Sequence, residues 1–186
     1  NWAFAAGTVL LALRRHNPAL NADIIVFCDG QLPAEDARIL QELGAQLVPF
    51  TPVDAELTEE ALRVFSPLSL AKFHCFDLLR HYESVVWLDS DILVQDSLEA
   101  LFACGPLGLA LEDPEFSDPA GAKPAQINLH GQVQDFDGSA NNLNSGVIVF
   151  RNDLPEPEKL RQLCLQFVCQ HGTLLRYPDQ AALNAL

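Results

Sequence analysis

With 186 residues, 49% hydrophobic and 19% charged, the chain has the balance of one globular α/β domain that buries roughly 70% of its unfolded surface, and no apolar run approaches the ~20 residues of a membrane span. A formal charge of −14 argues against nucleic acid and anionic membrane as partners, because phosphate surfaces demand a basic footprint. Cys28, Cys75, Cys104, Cys164 and Cys169 are odd in number and lie in apolar runs without CxxC spacing, so they read as buried thiols of a reducing, cytoplasmic compartment rather than disulfides or zinc ligands.

Asn1 to His16 has helical periodicity, with Ala6, Val9, Leu10 and Leu13 on one face and Arg14, Arg15 and His16 in the last turn, where cations suit the helix dipole. Asn17-Pro18 ends it. The run IIVFC between Asp23 and Asp29 predicts a buried strand, Pro33 opens a helix that Gly44 closes, and Ala45 to Phe50 forms the next strand. Such alternation predicts a mostly parallel central sheet with helices on both faces. Thr51 to Phe65 reads as a loop with a short helix. Ser66-Pro67 caps a helix running to about Tyr82, with Leu70, Phe73, Leu78 and Leu79 inward.

Val85, Val86, Trp87 and Leu88 are too short a run for a helix and rich in β-branched and aromatic groups, which predicts a strand buried on both faces in mid-sheet. The run ends on Asp89-Ser90-Asp91, and open α/β sheets bind ligands at the carboxyl ends of strands. In extended backbone, residues two apart share a side, so Asp89 and Asp91 converge. Paired carboxylates repel unless a cation joins them, and a divalent metal is the natural partner. The competing reading is a plain surface turn, opposed by the apolar Ile92, Leu93 and Val94 that follow.

Beyond Val94, Asp96 to Phe102 predicts a short helix capped by Asp96 or Ser97, and Leu107 to Leu111 a strand. Glu112 to Asn142 is polar and aperiodic, the mark of a functional loop. Val147 to Phe150 is a buried strand, about Pro155 to His171 a helix, and Tyr177-Pro178 leads into a last helix at Asp179, for which an N-cap role is one reading. The chain starts at Asn1 and contains no Met, so both ends are read as arbitrary.

Three blocks together resemble the family 8 glycosyltransferases, the group of glycogenin and the bacterial lipopolysaccharide galactosyl- and glucosyltransferases. They are LAKFHCFDLLRHYESVVWLDSDILVQDSLEALF from Leu70, LNSGVIVF from Leu143, and PDQAALNAL from Pro178. The opening helix is similar to the family's segment after its first strand, so the likeness spans residues 1–186 as a single catalytic domain. The resemblance implies a GT-A type fold and transfer of a hexose from a UDP-sugar to a glycan, lipopolysaccharide core or protein acceptor, with retained configuration. Asp89 and Asp91 match the DxD pair that holds Mn²⁺ or Mg²⁺ against the donor diphosphate, with Ser90 between them at the donor.

By the same resemblance, Lys72 reaches donor phosphate or sugar, and Phe4 takes the place of a tyrosine stacking near uracil. Asn144 and Ser145 match the NSG motif at the sugar or acceptor. Asp179 and Gln180 match the DQ pair on the anomeric face opposite the leaving group. Read from the residues alone, Lys72 is a solvated helix charge and Phe4 a core aromatic. The family's HxxGxxKPW block, source of a histidine ligand, is absent, and none of His16, His74, His81, His130 or His171 is assigned as one; His74 reads as packed or capping. Two alternatives stand beside this reading: a non-catalytic nucleotide-sugar-binding module, and a phosphatase of haloacid-dehalogenase type with Asp89 as nucleophile.

Overall fold

The computed structural model describes residues 2–51, 66–111 and 124–186. The loop expected at 52–65 and the first part of the polar interval, 112–123, lie outside the described residues. The chain divides into two compact units, Asn1–Thr51 with Leu88–Cys104, and Pro52–Trp87 with Gly105–Leu186.

The first unit opens with α1, Trp2–His16, followed by β1 (Ile24–Cys28), α2 (Ala34–Glu42) and β2 (Ala45–Pro49). β1 and β2 pair in parallel, Ile24 opposite Ala45 and Cys28 opposite Pro49, as their separation by a helix requires. Helical spacing splits the inner side of α1 between two apolar clusters. Val9 and Leu13, four apart, pack on Val94, while Leu10 meets Leu40 and Ala45. Each fully buried leucine contributes about 2 kcal/mol.

Asn17, just past α1, fastens the later segment of this unit. Its side chain donates to the Asp96 carbonyl at 3.3 Å and accepts from the Leu98 amide at 2.7 Å. The helix expected at Asp96 to Phe102 is instead a 3₁₀ segment, Glu99–Ala103. The side chains of Asp96 and Ser97 take up the amides of Ser97 and Glu99 and so build the turn before it rather than a full cap.

Gly44 ends α2 at φ +88°, a conformation that costs any residue with a Cβ. A Cβ there would meet only the tip of the Arg14 side chain, so backbone strain decides the outcome. Gly44→Ala is expected to cost about 1 kcal/mol, read as a lowered urea midpoint at constant m-value.

In the second unit Ser66 caps as predicted, accepting from the Leu68 amide at 3.3 Å. The helix expected to run on to Tyr82 is instead a 3₁₀ segment, Pro67–His74, passing into the one-turn α3, Cys75–Leu78. Leu70, Ala71, Lys72 and Phe73 are buried in succession, which a surface helix with one inward stripe does not allow.

The strands β3 (Ser84–Leu88), β4 (Leu107–Leu111) and β5 (Leu143–Arg151) form a sheet in the order β3-β5-β4. Within that sheet β5, not β3, is the flanked strand, and the residues of β3 are half-buried rather than covered on both faces. β5 pairs antiparallel with β4 and begins at Leu143, four residues earlier than the apolar text indicates. Its register shifts between the pairs Leu109–Ile148 and Ala110–Asn144, a bulge that re-aims the side chains around Asn144.

The helices α4 (Pro157–His171) and α5 (Pro178–Asn184) complete the unit. α4 starts two residues later than expected, because Glu156 before it sits at φ 49°, in the left-handed region. Phe76 and Phe150 meet edge to face with centroids 4.9 Å apart, and Ile148, Cys164, Val168 and Leu175 of the same unit are also buried.

The part of the polar interval that is described is ordered. Ala125–Asn128 is a 3₁₀ turn, Pro124 bridges Asn141, and Leu129 bridges Leu175. Tertiary hydrogen bonds, not periodicity, hold it.

All five cysteines are unpaired, but only Cys75 and Cys164 are buried as the apolar runs imply; Cys28 and Cys104 are half-buried and Cys169 is exposed, because it falls on the outer side of α4. Burial pushes the thiols of Cys75 and Cys164 up to about 12, and burial followed by the charge of Asp29 raises Cys28. Since the thiolate is the nucleophile, iodoacetamide near about pH 8 is expected to label exposed Cys169 first and to spare Cys75 and Cys164 until the chain unfolds, as peptide mass spectrometry will read. Among the described residues no helix is long and apolar enough to cross a membrane.

Candidate active site

In the second unit, side chains from three distant stretches of sequence meet in one buried polar cluster. Lys72 comes from the 3₁₀ segment, Ser145 from the bulged strand β5, and Asp179 and Gln180 from the first turn of α5. Lys72 is 1% exposed and Asp179 6%. The Lys72 ammonium donates to Asp179 Oδ2, and to both the carbonyl and the hydroxyl of Ser145 at 3.1 Å. The Ser145 hydroxyl in turn donates to Asp179 Oδ2 at 2.9 Å. Lys72 Nζ also lies 5.6 Å from the centre of the Trp87 ring, within cation–π range.

The structure departs from two expectations at this cluster. Lys72 is not a solvated helix charge, because the segment carrying it is surrounded on all sides. Asp179 is not the N-cap of α5: Tyr177 holds that position without a side-chain bond, and the Asp179 carboxylate is taken up by Lys72 and Ser145. Removing two charges from water is costly, so a buried pair of this kind is weak evidence of stabilisation.

Gln180 continues the network. Its Oε1 accepts from the Ser145 amide at 3.2 Å, and its Nε2 donates to Asn128 Oδ1 at 3.0 Å and Asn142 Oδ1 at 3.4 Å. Asn184, one turn on, bonds both polar groups of the Leu143 backbone at 2.9 Å and locks α5 to β5. Asn144 is half-buried, and its Oδ1 accepts from the Gly146 amide at 2.8 Å, an Asx turn inside the bulge. Asn128, Asn142 and Asn184 are not singled out by the sequence, and Trp87 reads there only as a strand residue. The only local signal was the position of Asn142 just before LNSG.

The other predicted residues belong to the first unit. Asp89 and Ser90 are half-buried and Asp91 is exposed. They lie in a tight turn closed by the Ile92 amide and the Asp89 carbonyl at 3.4 Å, and not in the extended backbone assumed from the strand pattern, so strand alternation does not govern their side chains. After the turn Val94 is buried and Ile92 half-buried, while Leu93 is 57% exposed. Phe4 stands 82% exposed on α1, unlike the core aromatic read from the residues alone.

Among the described residues no three or more His, Cys, Asp or Glu side chains gather into a protein-only cage. Two carboxylates in one turn nevertheless fit a hard oxygen-seeking ion of the Mg²⁺ or Mn²⁺ kind, which keeps several waters and takes further ligands from a bound phosphate. His74 is no part of this. Its Nδ1 lies 3.2 Å from Asp77, and burial first, then Arg161, lowers its pKa.

Human glycogenin-2 is 27% identical over 190 residues, taking in 100% of this chain and 32% of glycogenin-2. The crystal structure of the galactosyltransferase LgtC with donor and acceptor sugar analogues matches with a TM-score of 0.69 at 19% identity, covering 100% of this chain and 66% of that one. The apo structure of the bifunctional glycosyltransferase WbbM matches with a TM-score of 0.66 at 16% identity, over 100% of this chain and 35% of WbbM. The α/β architecture is thus of the GT-A type, and the chain spans less than two thirds of the length of these relatives. The model of glycosyl transferase family 8 matches residues 1–186, both units included, and the chain belongs to that family.

Proposed function

We propose that the chain is a metal-dependent retaining hexosyltransferase domain, residues 1–186, that moves a sugar from a UDP-sugar to a hydroxyl of a glycan, lipopolysaccharide core or protein. The supporting observation is that Lys72, Ser145, Asp179 and Gln180, more than a hundred positions apart at the extremes, are gathered into one buried network. A charged pair so buried is a poor way to stabilise a fold and a good way to orient functional groups. Membership of a glycosyltransferase family sets the phosphatase reading aside.

Asp89 and Asp91 would hold Mn²⁺ or Mg²⁺ with Ser90 beside them, and the ion supplies charge to offset the departing diphosphate. Phe4 offers its exposed face to the uracil. Lys72, expected from the resemblance at the donor phosphate or sugar, has its ammonium on Asp179 and Ser145 and so would hold Asp179 in place, while Asn144, Ser145, Asp179 and Gln180 border the sugar. An amide such as Gln180 is a weak nucleophile, and the Asp179 carboxylate is tied up by an ammonium and a hydroxyl. Both points favour departure and attack on the same face of the sugar over a covalent sugar–enzyme intermediate. The unpaired thiols agree with a reducing, cytoplasmic setting.

The test is to incubate the protein with UDP-hexoses and Mn²⁺, follow UDP release, and assign the product anomer by NMR. UDP release with retained configuration is expected. Binding without release would mark a nucleotide-sugar-binding module instead, and an inverted product would contradict the mechanism.

A further inference from the structure

We propose, building on the reading of Gln180 as a group beside the transferred sugar, that Asn128 and Asn142 are positioning residues that fix the orientation of the Gln180 amide. A backbone N–H only donates, so the Gln180 atom that meets the Ser145 amide at 3.2 Å is the carbonyl oxygen. Nε2 is then turned toward Asn128 Oδ1 and Asn142 Oδ1. Asn128 is itself oriented, because its Nδ2 donates to Asn142 Oδ1 at 2.8 Å. A flip of Gln180 would set N–H against N–H at Ser145 and oxygen against two oxygens at the asparagines.

All three amides are buried. The Asn128 carbonyl also accepts from the amides of Arg176 and Tyr177 at 2.8 and 3.3 Å, so the turn carrying Asn128 and the approach to α5 are joined through the main chain as well. Ser145 registers both catalytic candidates at once, its amide on Gln180 and its hydroxyl on Asp179. Packing alone does not call for three buried amides where apolar groups of the same shape serve as well. Orientation of a side chain at the reacting sugar does.

Asn128→Asp separates orientation from folding. It keeps an oxygen for Gln180 Nε2 and, when ionised, sets an acceptor against Asn142 Oδ1; when protonated, its O–H restores the donation. At about pH 8 the variant is expected to lose about tenfold in kcat with donor KM almost unchanged, and to regain activity relative to wild type as pH falls through the carboxyl titration. A deficit that does not change with pH, or no deficit, overturns the proposal. The second measurement uses wild type and no turnover: NMR exchange of the Gln180 side-chain amide protons. Slow exchange supports the arrangement, and exchange as fast as in exposed glutamines overturns it. A protected amide in a protein that releases no UDP from any UDP-hexose would defeat the hexosyltransferase reading, and the positioning role with it, while leaving the hydrogen bonds in place.

Discussion

Lys72→Met is expected to destabilise the protein by about 3–5 kcal/mol, since it leaves the Asp179 carboxylate buried without its counter-charge. For a chain of this size that is a fall in Tm of roughly 10 °C. The Ser145 hydroxyl still bonds Asp179, but one neutral donor does not replace an ammonium. The double variant Lys72→Met/Asp179→Asn removes both charges and is expected to recover most of the loss, so the two effects are far from additive. Both variants lose activity, because the carboxylate is either misplaced or gone. Urea denaturation of the four proteins of the cycle is the check. A cost below about 1 kcal/mol for Lys72→Met, the range of exposed ion pairs, would mean the pair is solvated in solution.

Asp89→Asn and Asp91→Asn are each expected to lower kcat by about a thousandfold, corresponding to about 4 kcal/mol of charge stabilisation lost at the departing diphosphate. An amide keeps one oxygen donor and gives up the negative charge that attracts a dication. The exposed position of Asp91 makes its exchange nearly neutral for folding, within about 0.5 kcal/mol, so the loss of rate is separable from any loss of structure. Treatment of wild type with EDTA is expected to reproduce the phenotype, and added Mn²⁺ to reverse it. Variants that keep wild-type kcat at saturating Mn²⁺ would exclude the turn as the metal site.

What was legible in the sequence was local or textual. The apolar face of α1, the strand IIVFC, the Gly44 terminus and the Ser66 cap all follow from spacing within a few residues, and α1, β1 and β2 stand where the pattern put them. The blocks around Lys72, Ser145 and Asp179 were legible as text, and the fold brings them together. What failed depended on contacts far along the chain. Lys72 reads as solvated because a lone charge carries no sign of a partner 107 positions away. Asn128 and Asn142 sit in an aperiodic stretch whose order comes from bonds to one another, to Gln180 and to the residues before α5. The strand text before Asp89 implied extended backbone through Asp91, whereas the main chain closes a turn there.

The most direct measurement is calorimetric titration of UDP into the protein with and without Mn²⁺. Saturable binding with Mn²⁺, lost with EDTA and lost in Asp89→Asn, is the result expected of a chain that grips a diphosphate through a dication. Binding equally strong with EDTA, or no heat with UDP or any UDP-hexose in the presence of Mn²⁺, would contradict it.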